Sequence, residues 1–359
     1  MTVRFPRITH PAYLRREAST ERVRRTAPRL WGVVLAVLSL GVATLVGAGP
    51  AQAAGLATTV TTRTTSLGSA AALQYCGNAP AGTSIASVRT VVIVVHGDGR
   101  DACSYAQSTV KAATASGVAA STLVVAPHFL ADSDAHNGRM YWSESGWKVG
   151  DVSLDPGALS SFAVVDRLLA GVTTARYPNL QRIVVAGHSA GGQFVNRYQA
   201  ATATTSVTRY VVANPSSYLY FGTKRFDGGT LREPTSAERS ACRRYNDYKY
   251  GLTARNAYAS SVSEQTLRQR FASRPMTLLL GTDDTSRTDN IDTGCAAEWQ
   301  GPNRYVRGHQ YHDVHLPAQF GSAITSTHRI SDVPGVGHSW GQMVRSSQGR
   351  AALFTEPSR

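Results

Sequence analysis

The sequence predicts an α/β fold, a mainly parallel central sheet with helices on both faces, and three observations point to it. Short runs of Val, Ile and Leu recur along the chain, as in VRTVVIVVHG (88–97), RIVVAG (182–187) and MTLLLG (276–281). Runs that stay apolar at successive positions belong to strands buried on both faces, the signature of a parallel sheet. Segments of helical spacing lie between them, and about 290 residues without an internal repeat suit a single domain.

The N-terminus stands apart. Eight arginines and two glutamates fall within the first 30 residues, followed by LWGVVLAVLSLGVATLVGAG, 20 residues without a charge, and then Ala51-Gln52-Ala53. A basic stretch, an apolar stretch and an Ala-x-Ala site are expected of a cleaved export signal over residues 1–53. A retained anchor is the competing reading, since such a length can span a bilayer; the small-residue site directly behind it favours cleavage, with no stable membrane insertion afterwards and a secreted product. Arg24-Arg25 leaves both export routes open. Setting these residues aside lowers the formal charge from +14 to +8. That surplus forms no basic stripe, so nucleic-acid binding is not expected.

Residues 54–71 are small and polar and are expected to be a flexible leader to a domain over 72–359. Strand 88–97 follows, then a helix over 102–116 and a strand over 121–129. A helix over 159–175 is expected from Phe162, Val165, Leu168 and Leu169 on one side, with Ser160 at its cap. Strand 182–187 leads into a helix from Ala190, and strands over 208–215, 276–281 and 328–335 complete the series. Two excursions, 216–272 and 285–322, are rich in Tyr, Arg and Gly and leave the C-terminal ends of strands, the edge at which open α/β sheets bind ligands. Cys76, Cys103, Cys242 and Cys295 all lie in the exported part. An even count there favours two disulfides. Three pairings are possible; Cys76–Cys103 and Cys242–Cys295 are expected because each pair flanks one strand. Without a Cys-x-x-Cys spacing, no metal site is expected.

The chemistry centres on Gly187-His188-Ser189-Ala190-Gly191, between a strand and a helix. G-x-S-x-G in that context lifts a serine hydroxyl clear of the sheet and sets a helix N-terminus behind it. The bland alternative is a serine that only caps the helix. A nucleophilic serine needs a base and a group that orients the base. Asp284, after TLLLG, and His338, in VPGVGHSW, follow in the order serine, acid, histidine, each just past a strand. Asp283 is the alternative acid; the Gly-x-x-Asp form of the loop selects Asp284, and Asp289 and Asp292 are outsiders. Two N–H groups must meet the developing oxyanion. Ala190 is expected to supply one and Asp98, in HGDGR, the other, with Gly99 as fallback; Arg100 is expected either there or tying the loop down.

Through HGDGR, GHSAGG, GTDDT and GVGHSW the sequence resembles the α/β-hydrolase family, specifically exported bacterial serine hydrolases of esterase or lipase type, over residues 88–355. The resemblance implies acyl transfer through an acyl-Ser189 intermediate, with His338 as base and then acid and Asp284 holding its tautomer. HGDGR lacks the second adjacent glycine of the HGGG-type loop. A carboxylic-ester hydrolase acting on a small-molecule or polymeric ester is therefore expected. A peptidase or amidase on the same triad, and a non-catalytic binding protein of the same fold, are the alternatives. No cofactor is implied, and nothing in the sequence speaks to oligomeric state. Trp142, Trp147 and Tyr218 are candidates for a substrate pocket, against ordinary packing under long loops; Tyr220 and Phe221 raise the same question. His309, His312 and His315 are expected to be packed or solvated rather than metal ligands, and His96 and His188 to shape their turns.

Overall fold

The computed structural model describes residues 56–68, 72–155 and 157–355. The export signal expected over 1–53, with its Ala51-Gln52-Ala53 site, lies outside the described residues. Eight strands form one sheet: β1 (Thr61–Ser66), β2 (Ala72–Gly77), β3 (Thr90–Val95), β4 (Thr122–Pro127), β5 (Arg182–His188), β6 (Arg209–Ala213), β7 (Met276–Gly281) and β8 (His328–Val333), in the spatial order β1-β2-β4-β3-β5-β6-β7-β8. From β4 to β8 every pairing is parallel, while β1 on β2 and β2 on β4 are antiparallel.

Both faces of the sheet are covered, and the two-residue period of the strands divides the core. Val91, Ile93 and Val95 of β3 and Val185 of β5 pack on one side, together with α2 (Ser161–Ala170), α3 (Ala190–Ala201) and α4 (Glu264–Ser273). Val92 and Val94 of β3 and Val184 and Ala186 of β5 pack on the other, against α1 (Ala102–Ala115) and α6 (Trp340–Arg345). This division is why the runs read as continuously apolar. Ser160 caps α2 by accepting from the Phe162 N–H, and the helix ends before Gly171, short of residue 175.

The leader expected over 54–71 is not loose throughout. Thr61–Ser66 pairs residue for residue with β2 as an edge strand whose side chains are largely exposed. Alternating threonines suit such an edge, but a strand with no apolar face leaves no hydrophobic pattern to read. Both expected disulfides are present, Cys76–Cys103 with Cα atoms 5.1 Å apart and Cys242–Cys295 with Cα atoms 6.0 Å apart. The first joins β2 to the start of α1; the second ties the two excursions together. The second excursion includes α5 (Arg304–His309), which continues through a π-helical turn over Gln310–His315. Among the described residues no helix is long and apolar enough to cross a membrane.

Candidate active site

The turn from β5 into α3 explains its own composition. Ser189 holds φ 59° and ψ −122°, a left-handed backbone that costs a non-glycine residue about 1–3 kcal/mol and persists where the surroundings enforce it. The neighbouring glycines serve close approach instead. A Cβ on Gly187 would lie 2.2 Å from the Gly191 carbonyl oxygen, one on Gly191 would lie 2.2 Å from the Val95 oxygen, and one on Gly192 would lie 2.6 Å from the Ala213 oxygen. The strain therefore falls on the serine, and the glycines let the helix start against two strands.

Ser189 is at the N-cap of α3, yet its side chain makes no capping bond. Its hydroxyl lies 2.9 Å from His338 Nε2, and His338 Nδ1 lies 2.7 Å from Asp284 Oδ2. For the hydroxyl to donate, Nε2 must be bare and Nδ1–H must point at the carboxylate. Asp284 is buried, while Asp283 is exposed and accepts from the Thr282 hydroxyl. Geometry thus brings Asp284, not Asp283, to the histidine. Sequence reasoning missed Arg304: fully buried at the start of α5, it places Nη1 3.4 Å from Asp284 Oδ1 and bonds the Asp289 carbonyl through Nη2. An arginine 20 positions downstream of an acid carries no local signal.

Two histidines beside the site are kept neutral. Burial pushes His96 down to about 3; Nδ1–H donates to the Gly97 carbonyl and Nε2 accepts from the Phe129 N–H, pinning the loop after β3. Burial, then the nearby charges of His338 and Arg304, holds His188 well below the usual imidazole range. Its Nδ1 meets the Tyr105 hydroxyl at 2.9 Å and its ring centroid lies 4.5 Å from that of His338.

Asp98, in the turn after β3, and Ala190, the first residue of α3, line one cavity with Ser189. The first N–H groups of a helix have no partner within it, so that of Ala190 is free to serve a ligand. The Asp98 carboxylate is turned to Lys148 Nζ at 2.6 Å. Arg100 meets Asp134, Glu144 and the Asp98 carbonyl, which ties the loop down.

A cleft of about 550 Å³ opens over Ser189 and His338, bordered by Asp98, Asp101, Tyr105, Asn290 and Trp340. The expected pocket residues Trp142, Trp147 and Tyr218 do not reach it: each is fully buried. Trp142 donates to the Leu159 carbonyl, Trp147 stacks on Phe129 and Tyr218 stacks on Tyr311. Large aromatics under long loops were drawn into the core, where their area is worth most; Tyr220 and Phe221 are buried with them. His309, His312 and His315 go separate ways: His309 to Asp313 and Asp332, His312 to Asp313 and the His328 carbonyl, His315 accepting from the Phe221 N–H.

No protein-family model and no curated protein matches the sequence. Solved structures do resemble it. Poly(aspartic acid) hydrolase-1 from Sphingomonas sp. KT-1 is similar at a TM-score of 0.58 and 22% identity, over 82% of this chain and 98% of that one. LpqC, a poly(3-hydroxybutyrate) depolymerase from Bordetella parapertussis, is similar at 0.57 and 24%, over 82% and 90%. At that identity the likeness speaks for architecture, in agreement with the sheet order and the turn at Ser189. The chain has the α/β-hydrolase fold.

Proposed function

We propose that the protein is a secreted serine hydrolase that cleaves carboxylic esters through an acyl-Ser189 intermediate. The observation that carries this reading is the continuous hydrogen-bonded line Ser189–His338–Asp284. As the Ser189 oxygen attacks the ester carbonyl, His338 Nε2 takes its proton and Asp284 stabilises the resulting imidazolium through Nδ1–H. The carbonyl oxygen becomes an oxyanion facing the N–H groups of Ala190 and Asp98. Collapse breaks the bond to the alcohol, which leaves with the proton from His338. Water then repeats the cycle on the acyl-serine and frees the acid. The two structural neighbours act, by their names, on polymers, and the open cleft leaves room for a small-molecule or a polymeric ester here. Secretion is supported by the basic, apolar and Ala-x-Ala pattern of the N-terminus and by two disulfides, which persist in oxidising compartments.

The test incubates residues 54–359, oxidised and folded, with a fluorophosphonate probe and with short p-nitrophenyl esters, beside Ser189→Ala. Labelling and turnover that vanish in the variant are expected. An unlabelled, inactive wild-type protein would refute the reading in favour of a non-catalytic binding protein.

A further inference from the structure

On the reading of Ser189 as nucleophile, two cavities flank it and the chemistry assigns each a part. His338 must hand its proton to the departing alcohol, so the leaving group lies in the cleft that includes His338, Ser339 and Trp340. The acyl group extends the other way, into a second cavity of about 250 Å³ lined by Ala190, Gln193, Ser216, Lys148 and Lys249, with Asp98, Asn290, Ile291 and Asp292 around them.

The two spaces differ in charge. Among the described residues the leaving-group cleft is lined by Asp101 and Asp289 and by no Lys or Arg, while Asp98 borders both spaces and is paired with Lys148. The acyl cavity presents Lys148, 2.6 Å from Asp98, and Lys249, 2.9 Å from Asp292. Behind its wall stands Arg197 of α3, fully buried. The guanidinium donates to the Lys249 carbonyl, the Gln193 side-chain oxygen and the Ser217 hydroxyl. All three are neutral acceptors; among the described residues no carboxylate accepts a hydrogen bond from it, and the Asp292 carboxylate acts on it through space. Three cations therefore stand against two carboxylates, and the N-terminus of α3 adds partial positive charge at the same end. Gln193 and Ser216, hydrogen-bonded to each other at 2.8 Å, offer polar contacts at the surface of that wall. Beyond Ala190 and Ile291 the lining is polar, so a plain alkyl chain would bury little apolar area there.

We infer that this cavity is the acyl subsite and that it accepts a short acyl chain ending in a carboxylate, such as the monoester of a small dicarboxylic acid. The anion is drawn toward Lys148, Lys249 and Arg197 and repelled from the acidic leaving-group side, which sets the direction in which the ester lies across Ser189. Hydrolysis itself is unchanged: the ester bond breaks, the alcohol leaves and a dicarboxylate is released.

The test measures kcat/KM by pH-stat for monoethyl succinate against ethyl 4-methylpentanoate, in which two methyl groups stand where the carboxylate oxygens were. A preference of roughly 10- to 100-fold for the succinate ester is expected, the range of one charge-assisted hydrogen bond. Lys249→Met and, separately, Lys148→Met should each pull that ratio toward unity, with fluorophosphonate labelling of Ser189 reporting that the variant is folded and competent. Equal or better turnover of the neutral ester by the wild type would overturn the subsite and leave the hydrolase standing. A preference matched by ethyl 4-hydroxybutanoate would overturn the role of charge. Absence of turnover with all esters, including the p-nitrophenyl series, would overturn the hydrolase reading, and the subsite with it.

Discussion

Arg304→Leu tests the electrostatics beneath the site. Arg304 and Asp284 are 0% and 1% exposed, and their closest atoms lie 3.4 Å apart. At an effective dielectric constant of about 20, unit charges at that separation attract by about 5 kcal/mol. Breaking one side of such a buried pair costs about 3–5 kcal/mol, because the remaining charge stays buried with less to balance it. For a folded part of about 300 residues that corresponds to a fall in Tm of roughly 5–8 °C. The perturbation should also reach catalysis, since the carboxylate that orients His338 Nδ1 loses its second partner. Chemical denaturation at pH 7 reads the first effect and ester turnover the second. Arg304→Lys should recover part of each. The double variant Arg304→Leu/Asp284→Asn should regain much of the lost stability while remaining inactive, the coupling expected of a contacting pair. Equal stability and activity of Arg304→Leu and wild type would refute the argument. So would strictly additive losses in the double variant.

Two further outcomes follow from the same geometry. Asp284→Asn should lower kcat by about 10⁴-fold, as loss of a triad acid does elsewhere, whereas Asp283→Asn, on an exposed carboxylate, should change it by less than about threefold; steady-state kinetics of the pair would expose a wrong assignment if the ranking reversed. The buried neutral histidines make stability fall on acidification. His96 and His328 are pushed by burial down to about 3, far below the unfolded value near 6.5. Their contribution is complete above pH 6.5 and is lost as pH falls toward 3, because the unfolded chain then binds protons that the fold refuses. Between pH 7 and pH 5 each should cost about 2 kcal/mol, measured by urea unfolding, and His96→Gln should remove about that much from the difference; an unchanged slope in the variant would count against it.

The parallel half of the fold was legible because a strand covered on both faces has to be apolar at every position. β3, β5 and β7 announce themselves by composition alone, and the turn at Ser189 by the glycines that must flank a backbone crossing. The antiparallel edge was not legible. β1 draws its order from the ladder with β2, and Thr61–Ser66 buries too little to leave a pattern. Trp142, Trp147 and Tyr218 show the opposite failure. Aromatic composition says that a large side chain needs a partner, but only packing decides whether that partner is the core or a ligand.

By itself the sequence determined the order of the parallel strands and the helices between them, the serine at the apex of a tight turn, aspartates and a histidine that follow it past later strands, and an even set of cysteines, because each rests on a local requirement of backbone, period or spacing. The tertiary structure alone decided which aspartate faces His338, that Arg304 crosses 20 residues to reach it, and that Arg197, Lys148 and Lys249 gather behind one side of Ser189. Those are matters of which buried charges meet, and burial is a property of the folded chain as a whole.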